Sequence, residues 1–260
     1  MNNLSSFLKF LTNNYKSTFK LSTFDIKLKY RRTLIGDYWT ILTNLIALGI
    51  ISIIWSVVFN GVFIKYFAMI FIGMTSFYML ISFISNSSEI LYTTYKDDLL
   101  SRGIPLNVVL QRYFMQIVLE YIQLFPVYFI ISIVVIDRIT FEILLFIPGL
   151  ILVLLNCFLL SLMVSIICSR FRDLGLLIKS IMRAGVLLTP ILWDKSRLGE
   201  FENWIYLNPF TSMIEALRNP LLGMEINYII YLILFVILLI NTTTSYILLK
   251  HKHKVFAFWL

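Results

Sequence analysis

Twenty consecutive residues, Thr40 to Phe59, carry no charged side chain, and a run of that length crosses the ~30 Å hydrocarbon core of a bilayer as one helix. Nothing else in the chain limits the fold as strongly. The run follows without a spacer from a basic, aromatic stretch, Lys27 to Trp39 (KLKYRRTLIGDYW). Basic residues beside a span are held on the cytoplasmic side, so this junction orients every later segment.

Five further spans follow from the same reading. Asn60-Gly61 is a turn signal, and the second span runs from Tyr66 to Ile84. Ser85 to Arg112 is polar, broken by Gly103 and Pro105, and returns the chain to the cytoplasm with some helix of its own. The third span, Tyr113 to Ile136, contains Glu120 and Pro126 and ends at an external turn, Asp137-Arg138. The fourth covers Phe141 to Cys168. Ser169 to Asp173 is a short basic internal loop, and the fifth span is Leu174 to Trp193, because a start after Arg183 leaves only about ten residues. Asp194 to Asn227 is external yet too apolar for a solvated loop; divided by Pro209 and Pro220, it reads as two short re-entrant helices. The sixth span is Tyr228 to Leu249.

Upstream of the first span, Leu4, Phe7, Leu8, Leu11, Tyr15 and Phe19 recur at helical spacing with lysines between them, an amphipathic helix at the membrane surface. Thr23 to Gly36 forms a second interfacial stretch. The expected fold is therefore an all-α integral membrane protein of one domain. Residues 1–39 are interfacial, 40–249 form a six-span core, and 250–260 form a cytoplasmic tail.

Charge distribution agrees with that topology: Lys and Arg assigned inside outnumber those outside roughly three to one, the positive-inside bias. A 59% hydrophobic, 14% charged composition excludes a soluble protein, for which about 25% charged residues is usual. The net charge of +8 sits beside spans rather than on one basic face, which argues against nucleic acid. Cys157 and Cys168 share one apolar segment and read as packed thiols. Polar residues interrupt Met1 to Tyr30, so no signal peptide is expected there, and the loop pattern does not support inverted repeats.

No catalytic set emerges. His251 and His253 lie among lysines of the tail, a solvated face rather than a metal site. No G-x-x-x-x-G-K-[ST] phosphate loop occurs, so ATP and its Mg ion are expected on a separate ATPase subunit and no cofactor in this chain. More informative are charges placed in apolar segments, which cost several kcal/mol unless they meet a partner or water. Glu120 lies in the third span, and Lys179 and Arg183 lie four apart on one face of the fifth. Either Glu120 pairs with one of the two cations, or the cations border a wet path and attract an anionic group such as a pyrophosphate. Aromatic residues are abundant in the first two spans, and Trp55, Phe59, Phe71 and Tyr78 are candidates to stack on sugar rings along such a path.

The run Leu28 to Trp39 resembles the R-Y-K-x-S-x-L-G-x-L-W motif that opens the membrane subunits of type 2 ABC exporters for O-antigen, capsule and teichoic acid. Ile104-Pro105-Leu106, Arg170-Phe171-Arg172-Asp173-Leu174, Thr189-Pro190-Ile191-Leu192-Trp193, Asn208-Pro209-Phe210 with Glu215 and Arg218, and the closing Phe258-Trp259-Leu260 extend the likeness in order along the chain. Asn44-Leu45 and Asp98-Leu99 depart from it, standing where the family often has a proline and a Phe-Pro.

The resemblance implies a homodimeric permease working with two copies of an ABC nucleotide-binding subunit in the bacterial inner membrane, both termini cytoplasmic. It implies an interfacial helix carrying Lys27, Lys29, Tyr30, Arg31, Arg32 and Gly36, with Trp39 beyond it. It further implies a coupling helix, Tyr95 to Gly103, with Tyr95, Lys96, Asp97, Asp98 and Arg102 meeting the ATPase. The external gate would hold Pro190, Trp193, Trp204, Asn208, Pro209, Phe210, Glu215 and Arg218. An undecaprenyl-pyrophosphate-linked glycan is the implied substrate, moved through a channel between protomers within membrane lipid. The competing readings are an exporter of another cargo (capsule, teichoic acid, lipid or drug), a polyprenyl-linked transferase using Asp194, Glu200 and Glu202, and a membrane scaffold.

Overall fold

A computed structural model describes residue 9 and residues 14–136, 141–193 and 195–252. The expected Asp137-Arg138 turn, most of the first amphipathic stretch, Asp194 and the tail from His253 lie outside the described residues. Those described form helices and connecting turns, with no strand among them. The elements are α1 (Tyr15–Lys29), α2 (Trp39–Val58), α3 (Phe63–Ile84), α4 (Lys96–Leu100), α5 (Leu106–Ile122), α6 (Phe125–Val135), α7 (Phe146–Arg170), α8 (Arg172–Leu188), α9 (Pro209–Leu222) and α10 (Ile229–Lys252), with short 3₁₀ segments between some of them.

Among the described residues, five helical stretches are long and apolar enough to cross a membrane: Gly36–Val58, Phe63–Ser88, Leu106–Val135, Phe141–Arg170 and Ile229–Lys250. The stretch expected as a fifth span is not among them. Its helix, α8, has 17 residues, about 25 Å at 1.5 Å per residue. It stops because Thr189, which precedes Pro190, is extended (φ −106°, ψ 136°), the conformation a following proline imposes.

Two more boundaries differ from expectation. The third span begins at Leu106, seven residues before Tyr113, and is interrupted after Ile122. Pro126 lies in the first turn of α6 and cannot donate a backbone hydrogen bond, so the α5 ladder cannot run through into α6. Of the second interfacial stretch only Thr23 to Lys29 is helical, in α1, which includes the end of the first stretch from Tyr15 and stops before Tyr30. Its buried side chains are Thr18, Ser22 and Ile26, mostly small and polar, and they allow close approach to α5. The Ser22 hydroxyl donates to the Arg112 carbonyl at 2.7 Å.

The core is built on α3, where Phe71, Phe77, Leu80 and Phe83 are fully buried. Against it lies α9, buried from Thr211 through Leu221 and packed on α3, α7 and α10. Asn208 caps α9 by accepting from the Phe210 amide at 3.0 Å, with Pro209 at the first helical position. Pro209 thus separates α9 from the 3₁₀ segment Lys195–Leu207, whereas Pro220 sits within the last turn and does not divide it. Pro220 leaves the Ala216 carbonyl without its intrahelical donor. Gly149 of α7 occupies the space beside that carbonyl: a Cβ there would lie 2.6 Å from the oxygen.

Away from α9, α7 and α10 share a buried amide pair. Asn241 Nδ2 donates to Asn156 Oδ1 at 2.9 Å, and Asn156 Nδ2 donates to the Leu234 carbonyl at 3.1 Å. Both side-chain amides thereby donate, and Asn156 Oδ1 accepts, inside an apolar bundle, where an unmet polar group is costly.

Candidate functional site

Among the described residues, a dense charge constellation gathers where α1, α4 and α5 meet, around Arg112. Its Nε and Nη2 donate to the two carboxylate oxygens of Asp25, each at 2.6 Å, and its Nη1 donates to Asp98 Oδ2 at 2.8 Å. Arg102 Nη1 reaches the other Asp98 oxygen at 2.7 Å. The guanidinium centre of Arg112 stands 4.9 Å from the Tyr95 ring centroid, within cation–π range. One arginine therefore ties the interfacial helix, the short α4 and the start of α5 together. A planar fork is required for this; a lysine ammonium cannot serve both carboxylates with the same geometry.

A second ion pair extends the contact along α5. Lys29 Nζ donates to both oxygens of Glu120 at 3.0 Å. Burial pulls the Lys29 ammonium down, but the Glu120 carboxylate and Tyr30 together outweigh it and the net shift is upward. The buried Tyr95 phenol is held well above its ordinary value, by burial first and then by the Asp25 charge. Between these groups opens a cleft of about 480 Å³, bordered by Asp25, Lys29, Asp97, Asp98, Arg102 and Gln116 among others.

The interfacial residues separate into two groups. Lys27 and Lys29 occupy the last turn of α1, where cations complement the helix dipole. Tyr30, Arg31, Arg32 and Gly36 lie beyond the helix. The Tyr30 hydroxyl is 3.1 Å from Thr40 Oγ1, Arg31 and Arg32 are exposed, and Gly36 has φ 63°. Trp39 opens α2. Of the expected coupling helix, only Lys96–Leu100 is helical; Tyr95 caps its start and Arg102 follows its end, while Asp98 is buried and Asp97 exposed.

Glu120 does not pair with Lys179 or Arg183. It pairs with Lys29 of α1, whereas Lys179 lies on α8 and donates to Glu89 Oε2, in the α3 to α5 connection, at 2.5 Å. Arg183 is exposed. Beside Lys179, the Arg172 guanidinium covers the Tyr92 ring at 5.1 Å, and the Tyr92 phenol is shifted upward, by burial first and by Glu89 next. Of the aromatic candidates, Trp55 stacks on Phe59 at 5.0 Å and Phe59 on Tyr66 at 6.1 Å, and Tyr78 is half-buried. Phe71 is fully buried between Phe67 and Tyr128; it packs the core and cannot line a path.

The residues expected at a gate do come together, around α9. Arg218 Nη1 donates to the Pro190 carbonyl at 2.8 Å, Asn208 Nδ2 to Thr189 Oγ1 at 3.2 Å, and Trp193 Nε1 to the Leu187 carbonyl at 3.1 Å. Phe210 meets Phe77 edge to face, Glu215 accepts from the Tyr206 hydroxyl at 3.1 Å, and Trp204 is exposed.

Reading the sequence missed Asp25 and Glu89 as site residues and gave Arg112 only a topological role. Asp25 is the only acid before Asp37 in a basic segment, and that isolation was the available signal.

Compared with known protein families, residues 17–222 match the model described as ABC-2 type transporter, which is most of the 260-residue chain. The chain belongs to the ABC-2 type transporter family. No curated protein matches it. The ABC-2 match opens in α1 and closes with α9, so the Arg112 cluster and the α9 constellation both fall within it. As an ABC-2 permease it is a multi-pass membrane protein, and family membership implies an ATP-binding partner.

Proposed function

We propose that two copies of this permease join two copies of a separate ATP-binding subunit in the bacterial inner membrane and export a lipid-linked polysaccharide, with both termini cytoplasmic. Supporting this is the open face of α8. Leu176, Ser180, Arg183 and Leu187 are all exposed along it, and a charge this far along an apolar helix costs about 3 kcal/mol against lipid. Facing water or a second protomer removes that cost.

In this reading α8 completes the sixth crossing, and the faces of α2 and α8 left open in one protomer border a path between two. Its wet side would carry Arg183, a cation suited to the pyrophosphate of a polyprenyl-linked glycan. The Arg112 cluster would lie on the ATPase side, α4 receiving the motion and passing it to α1 and α5. The 3₁₀ segment and α9 would close the outward end.

The experiment is the lipid-linked glycan content of cells lacking the gene or carrying an inactivated ATPase partner, resolved by thin-layer chromatography. Accumulation of undecaprenyl-linked glycan in both strains is expected. Unchanged glycan in both would move the cargo to another class, such as a drug or a lipid, while the permease assignment would stand.

A further inference from the structure

The face of α1 turned away from α5 carries charge that no acid answers. At about 100° per residue, buried Thr18, Ser22 and Ile26 share one face with Asp25, the only acid of the helix. That acid is taken by Arg112, and Lys29 on the same face by Glu120. Lys16, Lys20 and Lys27 fall within about 40° of one another, and their row is turned about 140° from the centre of the buried face. All three are exposed, as are Arg31 and Arg32 just past the helix end. Among the described residues no carboxylate pairs with any of these five cations.

Apolar side chains border the lysine row. Phe24 and Leu28 lie to one side of it and Phe19 to the other, all three exposed. Cations beside large apolar groups suit a surface that is anionic at its top and apolar beneath, which is the headgroup region of a bilayer. The neighbours of α1 put it at that level. The Tyr30 hydroxyl, one residue beyond the helix, is 3.1 Å from Thr40 Oγ1 in the first turn of α2. Asp37, shortly before α2, accepts on its carbonyl from Gln123 Nδ of the α5 end at 3.2 Å through the amide Nε2. Both partners belong to membrane-crossing stretches, Gly36–Val58 and Leu106–Val135.

We propose that the outer face of α1 is a binding surface for anionic phospholipid. Lys16, Lys20, Lys27, Arg31 and Arg32 meet the headgroup phosphates, and Phe24 and Leu28 enter the acyl boundary beneath them. Each basic residue close to an anionic leaflet strengthens attachment about fivefold, so charge rather than apolar area decides whether the helix is seated. α1 is then held from two sides, by α5 through Asp25 and Lys29 and by the leaflet through the lysine row. The surface is separate from the path between protomers and depends on neither cargo nor ATPase.

The test uses the full chain in nanodiscs of phosphatidylcholine with and without phosphatidylglycerol. A nitroxide is placed at Ser17→Cys, an exposed position that falls between Phe24 and Leu28 around the helix, and its collisions with a water-soluble nickel complex are measured by electron paramagnetic resonance. Phosphatidylglycerol should lower those collisions at least threefold, and salt of about 1 M, where the Debye length is about 3 Å, should restore them. The triple change Lys16→Gln, Lys20→Gln and Lys27→Gln should abolish the response, while Lys→Arg at the same three positions should keep it, which separates lost charge from a disturbed helix. Equal collisions in the two lipids, or a wild-type response from the Gln variant, overturns the proposal. So does protection in pure phosphatidylcholine on adding inorganic phosphate, or on adding the ATP-binding partner, which would make this face a surface for free phosphate or for protein. A nanodisc carries the same lipid on both faces and no transport is measured, so a drug or lipid cargo would refute the polysaccharide reading and leave this result untouched.

Discussion

Arg112 grips Asp25 through two parallel hydrogen bonds of 2.6 Å each, and its third arm reaches Asp98 at 2.8 Å. Asp25 belongs to α1 and Asp98 to α4, so neither helix can shift without changing the geometry of the same guanidinium. The arginine side chain is 15% exposed, and its partners 16% and 9%. That burial makes the pair expensive to break from one side only.

Arg112→Gln should therefore lower stability by about 3 kcal/mol, the near end of the range for stripping one partner from a largely buried pair. Arg112→Lys should recover only part of it, because one ammonium cannot hold two carboxylates in fork geometry. Thermal unfolding in nanodiscs of Arg112→Gln, Asp25→Asn and the double variant measures the coupling. Additive losses would mean that the two residues do not act on one another. In the complex with the ATPase, Arg112→Gln should also lower the stimulation of ATP hydrolysis by cargo.

Lys29 gives a pH dependence with a definite sign. Burial lowers its affinity for the proton, Glu120 and Tyr30 together raise it more, and the folded pKa ends above the ordinary lysine value. The docking energy of the α1 end is thus fully present below the unfolded value and fades as pH rises through the folded one. Tyr95, shifted upward by burial and by Asp25, works in the same sense, since its phenol must stay neutral in place. A spin-label distance between α1 and α5 should stay constant from pH 7 to about 10 and lengthen above that. Lys29→Gln should flatten the part of this transition due to the ion pair; a profile identical to wild type would show that the pair does not hold α1.

Gly149 and Gly49 form a matched pair for testing how tightly α9 is seated. A methyl at Gly149 would lie 2.6 Å from the Ala216 carbonyl oxygen, a backbone atom that cannot swing aside, while a methyl at Gly49 would meet nothing within 4 Å. Gly149→Ala should cost about 1–3 kcal/mol, as overpacking does. Gly49→Ala should be neutral or slightly stabilising through helix propensity. Equal thermal midpoints for the two variants would show that α7 and α9 are not in close contact.

Much of this architecture is legible in the sequence because apolar runs of 20 or so residues have few alternatives to a spanning helix. Thr40 to Phe59 and Tyr228 to Leu249 were placed to within a few residues of α2 and α10 on that ground. Where a helix buries small polar side chains, the same logic fails. The contact face of α1 is Thr18, Ser22 and Ile26, invisible to a search for apolar periodicity, so its docking on α5 is not legible in the sequence. Ion-pair partners were missed for a different reason. Glu120 was matched with Lys179 or Arg183 because all three lie in apolar segments, but pairing depends on which helices touch, and α5 touches α1. Asn208-Pro209 at a helix start and the extended residue before Pro190 are local geometry that sequence carries directly.

Arg183 offers the sharpest test of where the α8 face looks. Its neighbours along that face, Leu176, Ser180 and Leu187, are exposed with it. Two environments make opposite forecasts. Against lipid, Arg183→Leu would relieve a cost of about 3 kcal/mol, raise the thermal midpoint and leave export intact. Beside a wet path, the same change would place an apolar side chain in water and remove a cation from the route of an anionic head group. The expected outcome is the second: a midpoint unchanged or lower, and export reduced at least fivefold, with Arg183→Lys retaining most of it because charge rather than fork geometry is what the route requires. A cysteine at 183 should correspondingly react with a membrane-impermeant maleimide in nanodiscs, and a stabilised, fully exporting Arg183→Leu variant would turn the face outward to lipid and remove the main support for a path between protomers.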